Sequence, residues 1–258
     1  RAVINIGNDE PSNYAIKTNA HALARFASLS QEANLVPIVE PEVLMDGSHS
    51  IEKCYEVTNI VLREVYYELY NQKIELEGTL LKPNMVIPGK DSNDSSNPSE
   101  IAKYTVKCLT DCVPASVPGI VFLSGGQSDD DATINLHHIN VIAKKIQTPW
   151  ELSFSYGRGL QSAPLKTWLG DQDNISLAQK ASILQVQLEA GTAAKINEIE
   201  KMCEQRDNYA DLAVKKLSCV PTFDELIGNV ETSTSSVSMF ICWRGDNPAV
   251  GNRRRDLK

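Results

Sequence analysis

The chain has 258 residues, with 25 Lys and Arg against 33 Asp and Glu and a formal charge of −8. Such a length accommodates one large domain or two small ones, either with a substantial buried core. The acidic balance argues against nucleic-acid binding, and no apolar run approaches the ~18 residues that a membrane span needs. The first residue is Arg1 and no signal-peptide pattern follows it, so the chain reads as a fragment or a processed product.

Ala2–Ile6 is a short apolar run rich in β-branched residues, which predicts a strand. Tyr14–Ala33 follows with Ala15, Ile16, Ala20, Leu23, Ala24 and Ala27 at the spacing of an amphipathic helix. A second strand is predicted at Leu35–Val39 and a second helix at Ile51–Tyr70, with Ile51, Cys54, Val57, Val61, Val65 and Leu69 along its stripe. Leu76–Leu81, Gly119–Leu123 and Leu152–Ser155 continue the beat as strands. The polar loop Pro88–Ser99 and helices opening at Ser99-Glu100 and near Asp129 lie between them. Asn174–Cys203 is rich in helix formers, the pattern turns irregular from Asp207, and Arg244–Lys258 reads as a solvated basic tail.

Strand and helix alternating at roughly forty-residue intervals is the signature of βα units feeding a parallel sheet. The runs end in polar or small residues: Glu40-Pro41-Glu42, Lys82-Pro83-Asn84, Ser124-Gly125-Gly126 and Ser155-Tyr156-Gly157-Arg158. In a (β/α) barrel the C-terminal strand ends form the active-site face. The expected fold class is therefore α/β, a partial eight-stranded (β/α) barrel over residues 1–170. A helical extension over 171–206 and an unassigned, flexible tail over 207–258 complete the expected organisation.

Six cysteines are present: Cys54, Cys108, Cys112, Cys203, Cys219 and Cys242. None forms a C-x-x-C pair, and His21, His49, His137 and His138 have no ligand spacing beside them. The expectation is thiols in a reducing cytosol and no metal site.

Lys82 ends an apolar strand, so its amine stands at the barrel mouth. A lysine among apolar walls or beside another cation becomes a nucleophile toward carbonyls, whereas the plainer reading is a snorkelling surface lysine. Glu40 and Glu42 lie two apart on extended chain and can project to one side. A carboxyl group from the preceding strand can shuttle protons for carbinolamine formation and dehydration, or can simply cap a loop. Ser124-Gly125-Gly126 precedes a helix, where glycines permit close backbone approach and free amides suit an anion. Gly157-Arg158 adds a guanidinium beside a flexible turn one strand later.

The segments VPIVEPEVL (Val36–Leu44), LEGTLLKPNMV (Leu76–Val86), FLSGGQS (Phe122–Ser128) and FSYGR (Phe154–Arg158) closely resemble class I fructose-bisphosphate aldolase. The resemblance covers Arg1 to about Gly170 and implies the second half of the family's barrel, beginning at the tail of its fourth strand. It implies that Lys82 forms a Schiff base with the ketose, that Glu40 transfers protons and that Glu42 supports the lysine. Ser124, Gly125, Gly126, Ser155, Gly157 and Arg158 would hold a substrate phosphate, and Arg1 resembles the family's arginine just past the fourth strand. The family's first-strand aspartate and its third- and fourth-strand lysines would precede Arg1.

By that resemblance the ligands are fructose 1,6-bisphosphate and triose phosphates, in glycolysis and gluconeogenesis. No cofactor, nucleic acid or membrane is implied, the location is cytoplasmic, and the complete polypeptide would be a homo-oligomer. The rival reading is a non-catalytic, aldolase-derived phosphate-binding or scaffold protein, favoured by the open strand edges of a half-barrel. A transaldolase-like enzyme is the more distant rival, made improbable by the glycine and arginine phosphate motifs.

Overall fold

The computed structural model describes residues 1–94, 96–189, 205 and 207–209. Within them every strand pairing is parallel. Strand β1 (Ala2–Ile4) pairs with β3 (Pro41–Val43), and β2 (Ile38–Val39) pairs with β4 (Leu80–Leu81). Beyond β4 lie β5 (Gly119–Phe122) and then β6 (Glu151–Phe154). A single residue, Glu40, separates β2 from β3. The segment 38–43 thus faces β4 before Glu40 and β1 after it, which joins the two ladders into one arc of parallel chain. Ala2 N–H donates to the Glu40 carbonyl at 2.9 Å, and Lys82 N–H donates to that of Val39 at 2.7 Å.

Helices α1 (Asn13–Glu32), α2 (Ile51–Asn71), α3 (Pro98–Cys112) and α4 (Asp129–Ile146) alternate with the strands, each packed on the next. Their starts are written in the sequence. Ser12, Ser50, Asn97 and Ser128 accept hydrogen bonds from the amides of Ala15, Lys53, Glu100 and Asp131, satisfying donors that the helices leave orphaned. In α4, Asp129, Asp130 and Asp131 in the first turn and Lys144 and Lys145 in the last complement the helix dipole. The apolar stripes of the helices close over Val39, Leu81, Ile120 and Phe122 in one core. The fold is the α/β half-barrel that the periodicity predicts.

Three differences from the sequence reading have local causes. Leu35 and Val36 are exposed rather than in a strand, because Asn34 turns left-handed and the Leu35 amide closes the end of α1 on the Ser30 carbonyl. Leu76–Gly78 is a 3-10 turn, and only Leu80–Leu81 joins the ladder. The Gln31 side chain fixes that turn, donating to the Glu75 carbonyl at 2.8 Å and accepting from the Glu75 amide at 3.1 Å. Finally, α5 (Arg158–Trp168) starts directly at Gly157-Arg158, where the sequence reads only a turn. Of the helix predicted over 174–203, α6 (Ile175–Glu189) is seen, packed against α5, and residues 190–203 lie outside the described residues. The tail predicted at 244–258 lies outside the described residues.

Candidate active site at the strand ends

Register places the polar residues side by side. Val39 pairs with Leu81, so the next residue on one strand, Glu40, stands beside the next on the other, Lys82. Lys82 Nζ lies 3.2 Å from Glu40 Oε1, with the side chains 16% and 19% exposed. A pair this sheltered interacts more strongly than a surface salt bridge, and its geometry supplies a potential nucleophile with a proton acceptor in contact.

Glu42 takes a different partner. Its Oε2 lies 3.2 Å from Arg1 Nη1 without hydrogen-bond geometry, and the residue is buried. No ion pair or hydrogen bond joins it to Lys82; the β1 pairing (Val3 opposite Glu42) carries it toward Arg1 instead. The two carboxylates of the VEPE segment therefore divide between two cations.

At the end of β5 the chain turns through Gly125 (φ +63°) and Gly126 (φ +94°), where any side chain is strained. A Cβ on Gly126 would also come within 3.3 Å of Met45 Sδ. Ser124 is half-buried and Gly126 exposed, so the turn presents its backbone to solvent. Phe122 pairs with Phe154, which brings the end of β6 alongside. Buried Ser155 donates its amide to the Phe122 carbonyl at 2.8 Å. Gly157 precedes α5 without a side-chain capping hydrogen bond, and exposed Arg158 is the first residue of that helix. Ser162 Oγ donates to Asp129 Oδ2 at 2.8 Å, tying the start of α5 to the start of α4. A glycine turn, a helix N-terminus and a guanidinium thus lie on adjacent strand ends, a combination suited to an anion.

Two residues that the sequence reading passed over hold this arrangement. Asn84 is 5% exposed; its Oδ1 accepts from the Val43 amide at 3.0 Å, and its Nδ2 donates to Thr58 Oγ1 and the Met85 carbonyl. It clamps the strand end bearing Lys82 to the one bearing Glu42. Gln127 donates to the Ser124 carbonyl at 2.8 Å and accepts from Asn135 Nδ2 at 2.7 Å, bracing the glycine turn. Both lie inside the quoted segments, and nothing local in the sequence marks their role.

Parallel strands whose C-terminal ends carry the polar groups define a (β/α)-barrel protein with its chemistry at that face. The family described as fructose-bisphosphate aldolase class-I matches residues 1–218, and the chain belongs to that family. The match continues past Gly170, where the readable motifs stop. Among similar proteins, "Fructose-bisphosphate aldolase 4, cytosolic" of Arabidopsis thaliana is 57% identical over 181 residues, covering 70% of this chain and 46% of that protein. A probable class 1 fructose-bisphosphate aldolase of Xanthomonas axonopodis pv. citri is 54% identical over 181 residues, covering 70% and 53%. A solved structure of the Plasmodium falciparum fructose-bisphosphate aldolase, with TRAP and a small-molecule inhibitor, superposes with a TM-score of 0.71 at 42% identity. That superposition covers 74% of this chain and 55% of the other. The chain spans about half the length of the curated relatives it matches.

Proposed function

We propose that the chain works in the reversible cleavage of fructose 1,6-bisphosphate to dihydroxyacetone phosphate and glyceraldehyde 3-phosphate, with Lys82 as the imine-forming nucleophile. The observation that carries this reading is the sheltered 3.2 Å contact between Lys82 and Glu40. In its neutral form the Lys82 amine adds to the ketose C2 carbonyl and forms a carbinolamine. Glu40 delivers a proton to the C2 hydroxyl, which leaves as water; the iminium that results draws the electrons of the breaking C3–C4 bond into an enamine, while the C4 hydroxyl becomes the aldehyde carbonyl by giving its proton to a base that the resemblance places before Arg1. The iminium is itself the electron sink, so this step calls for no metal.

In the same reading Ser124, Gly125, Gly126, Ser155, Gly157 and Arg158 hold one substrate phosphate, on the turn, the start of α5 and the guanidinium. Arg1 reaches the same ligand from β1, and Glu42 fixes Arg1 while shaping the wall beside Lys82. The reading includes a cytoplasmic location, supported by relatives named cytosolic. It also includes self-assembly of the complete polypeptide, which rests on the family resemblance. The non-catalytic alternative keeps the open strand edges of a half-barrel in its favour, and the similar proteins, named as aldolases, weigh against it.

Imine formation and hydrolysis exchange the C2 carbonyl oxygen of dihydroxyacetone phosphate with water. In heavy-oxygen water, mass spectrometry should show exchange above the uncatalysed background with the native chain and none above it with Lys82→Arg. Equal exchange by both would overturn the assignment, because a guanidinium stays protonated and does not attack carbonyls.

A further inference from the structure

The turn Ser124-Gly125-Gly126 has no hydrogen bonds of its own where its backbone is most unusual. Gly125 and Gly126 both lie in the left-handed region, at φ +63° and +94°, and neither amide donates to a described residue. Gln127 braces only the first residue of the turn, through the Ser124 carbonyl. A turn without hydrogen bonds at its apex keeps its shape through what packs against it. Chain neighbours aside, the described atoms within 4 Å of where a Cβ on Gly126 would stand are Met45 Sδ at 3.3 Å and Met45 Cγ at 3.8 Å. Met45 is half-buried and packs against the core.

Met45 reaches this turn from chain that β5 does not pair with. It follows the segment 38–43, and β4 separates that segment from β5. The residues after β3 are fastened to those after β4 as a strap. Lys90 N–H donates to the Met45 carbonyl at 2.7 Å, Asp91 N–H to that of Gly47 at 2.9 Å, and Gly89 N–H to that of His49 at 2.8 Å. The Lys90 side chain pairs with that of Asp46. The two loops approach so closely that a Cβ on Gly89 would stand 2.2 Å from the Gly47 carbonyl oxygen, which leaves room for glycine alone. On the other side the Leu44 amide donates to the Ile4 carbonyl at 2.9 Å, anchoring the strap on β1. The backbone that carries Met45 is thus held on both sides, and an unbranched thioether suits the irregular gap beneath a glycine turn.

We propose that Met45 is a positioning residue for phosphate: its side chain, carried by the strap, supports Gly126 in the left-handed turn and so sets the preference for a ketone that bears a phosphate over the same ketone without one. The proposal rests on the reading of Ser124-Gly125-Gly126 as a phosphate site. Truncating Met45 at Cβ leaves space beneath a glycine, the residue with the greatest backbone freedom. The turn then spreads over conformations that no longer bring its amides together on one anion, and binding has to supply the ordering that packing supplied before. Lys82 stands at the end of β4, outside the turn, so the loss falls on the phosphate contribution. The contact is apolar, so another side chain of similar volume serves in place of the thioether.

The test is borohydride trapping by the full chain of dihydroxyacetone phosphate and, in parallel, of dihydroxyacetone, read as the ratio of the two rates of adduct formation. The native chain is expected to favour the phosphate ester. Met45→Ala should lower the ratio roughly three- to tenfold, the scale of coupling between residues in contact, and Met45→Leu should restore most of it. A side chain with only a general structural role would slow both ketones alike and leave the ratio in place. Titration with inorganic phosphate, which forms no imine, reads the turn independently of Lys82 and should show the same loss in Met45→Ala. A ratio and a phosphate affinity within about twofold of native in Met45→Ala overturn the proposal and leave the phosphate site standing, as does a loss that Met45→Leu fails to restore. A native chain that takes both ketones equally and binds no inorganic phosphate overturns the phosphate site, and the proposal with it.

Discussion

Lys82 and Glu40 stand at equivalent steps of two paired strands, and their charged atoms meet at 3.2 Å where less than a fifth of either side chain sees solvent. The contact follows from register. Val39 pairs with Leu81, the Lys82 amide donates to the Val39 carbonyl, and the two following side chains have nowhere else to meet.

Glu40→Gln keeps the shape of the side chain but removes its capacity to accept or return a proton. Imine formation with dihydroxyacetone phosphate should slow by about 10²–10⁴-fold, the usual contribution of a positioned acid–base group. Stopped-time borohydride trapping measures it. A rate within about threefold of the native chain would remove Glu40 from the proton path.

Asn84→Ala strands the buried Val43 amide and releases Thr58 and the Met85 carbonyl. One orphaned buried group costs about 1–3 kcal/mol, so urea unfolding should show a loss in that range. Imine trapping should weaken as well, since the clamp sets the spacing of the strand ends. A stability change under about 0.5 kcal/mol would show that the clamp contributes nothing net.

Gly126 adopts φ +94°, where a Cβ is strained by about 1–2 kcal/mol, and Arg158 opens α5 beside it. Gly126→Ala and Arg158→Ala should each weaken dihydroxyacetone phosphate binding, the latter by roughly 1.5–3 kcal/mol for a lost charged hydrogen bond. Isothermal calorimetry decides this. Native affinity in Arg158→Ala would take the guanidinium out of the phosphate site.

His49 has both ring nitrogens buried without a hydrogen-bond partner, and burial lowers its pKa below the ordinary 6.5. Above that ordinary value the ring is neutral both folded and unfolded. Below it the unfolded chain gains a proton that the folded chain refuses, so stability falls as pH drops from 6.5 through the folded value. His138, lowered by burial and by His137, acts with the same sign. The urea midpoint of the native chain should therefore fall more between about pH 7 and about pH 5.5 than that of His49→Gln. Parallel pH profiles would count against this assignment.

The strand-end motifs were legible because each combines two local signals, an apolar β run and an abrupt polar or glycine stop. Lys82, Glu40 and the Gly125-Gly126 turn all fall where that pattern puts them. What the pattern missed depends on neighbours distant in sequence. The resemblance assigns Glu42 to the support of Lys82, whereas its contact with Arg1, set by strand pairing with β1, has no local signal. Leu76–Gly78 runs directly into the apolar Leu80–Leu81 and was read with it, and a side chain from the end of α1 holds it in a turn. Helix α5 was hidden by Gly157 and by Pro164 inside it, two breakers that its packing against α6 overrides. Asn84 and Gln127 carry no periodicity at all, and their importance shows only when their buried partners are counted.

Borohydride trapping with dihydroxyacetone phosphate tests the central claim most directly. The chain is incubated with the ligand, reduced, digested and mapped by peptide mass. The account predicts one reduced adduct on the peptide containing Lys82, absent in Lys82→Arg. An adduct on a different lysine, or none in a chain whose circular dichroism shows the folded α/β structure, would contradict it.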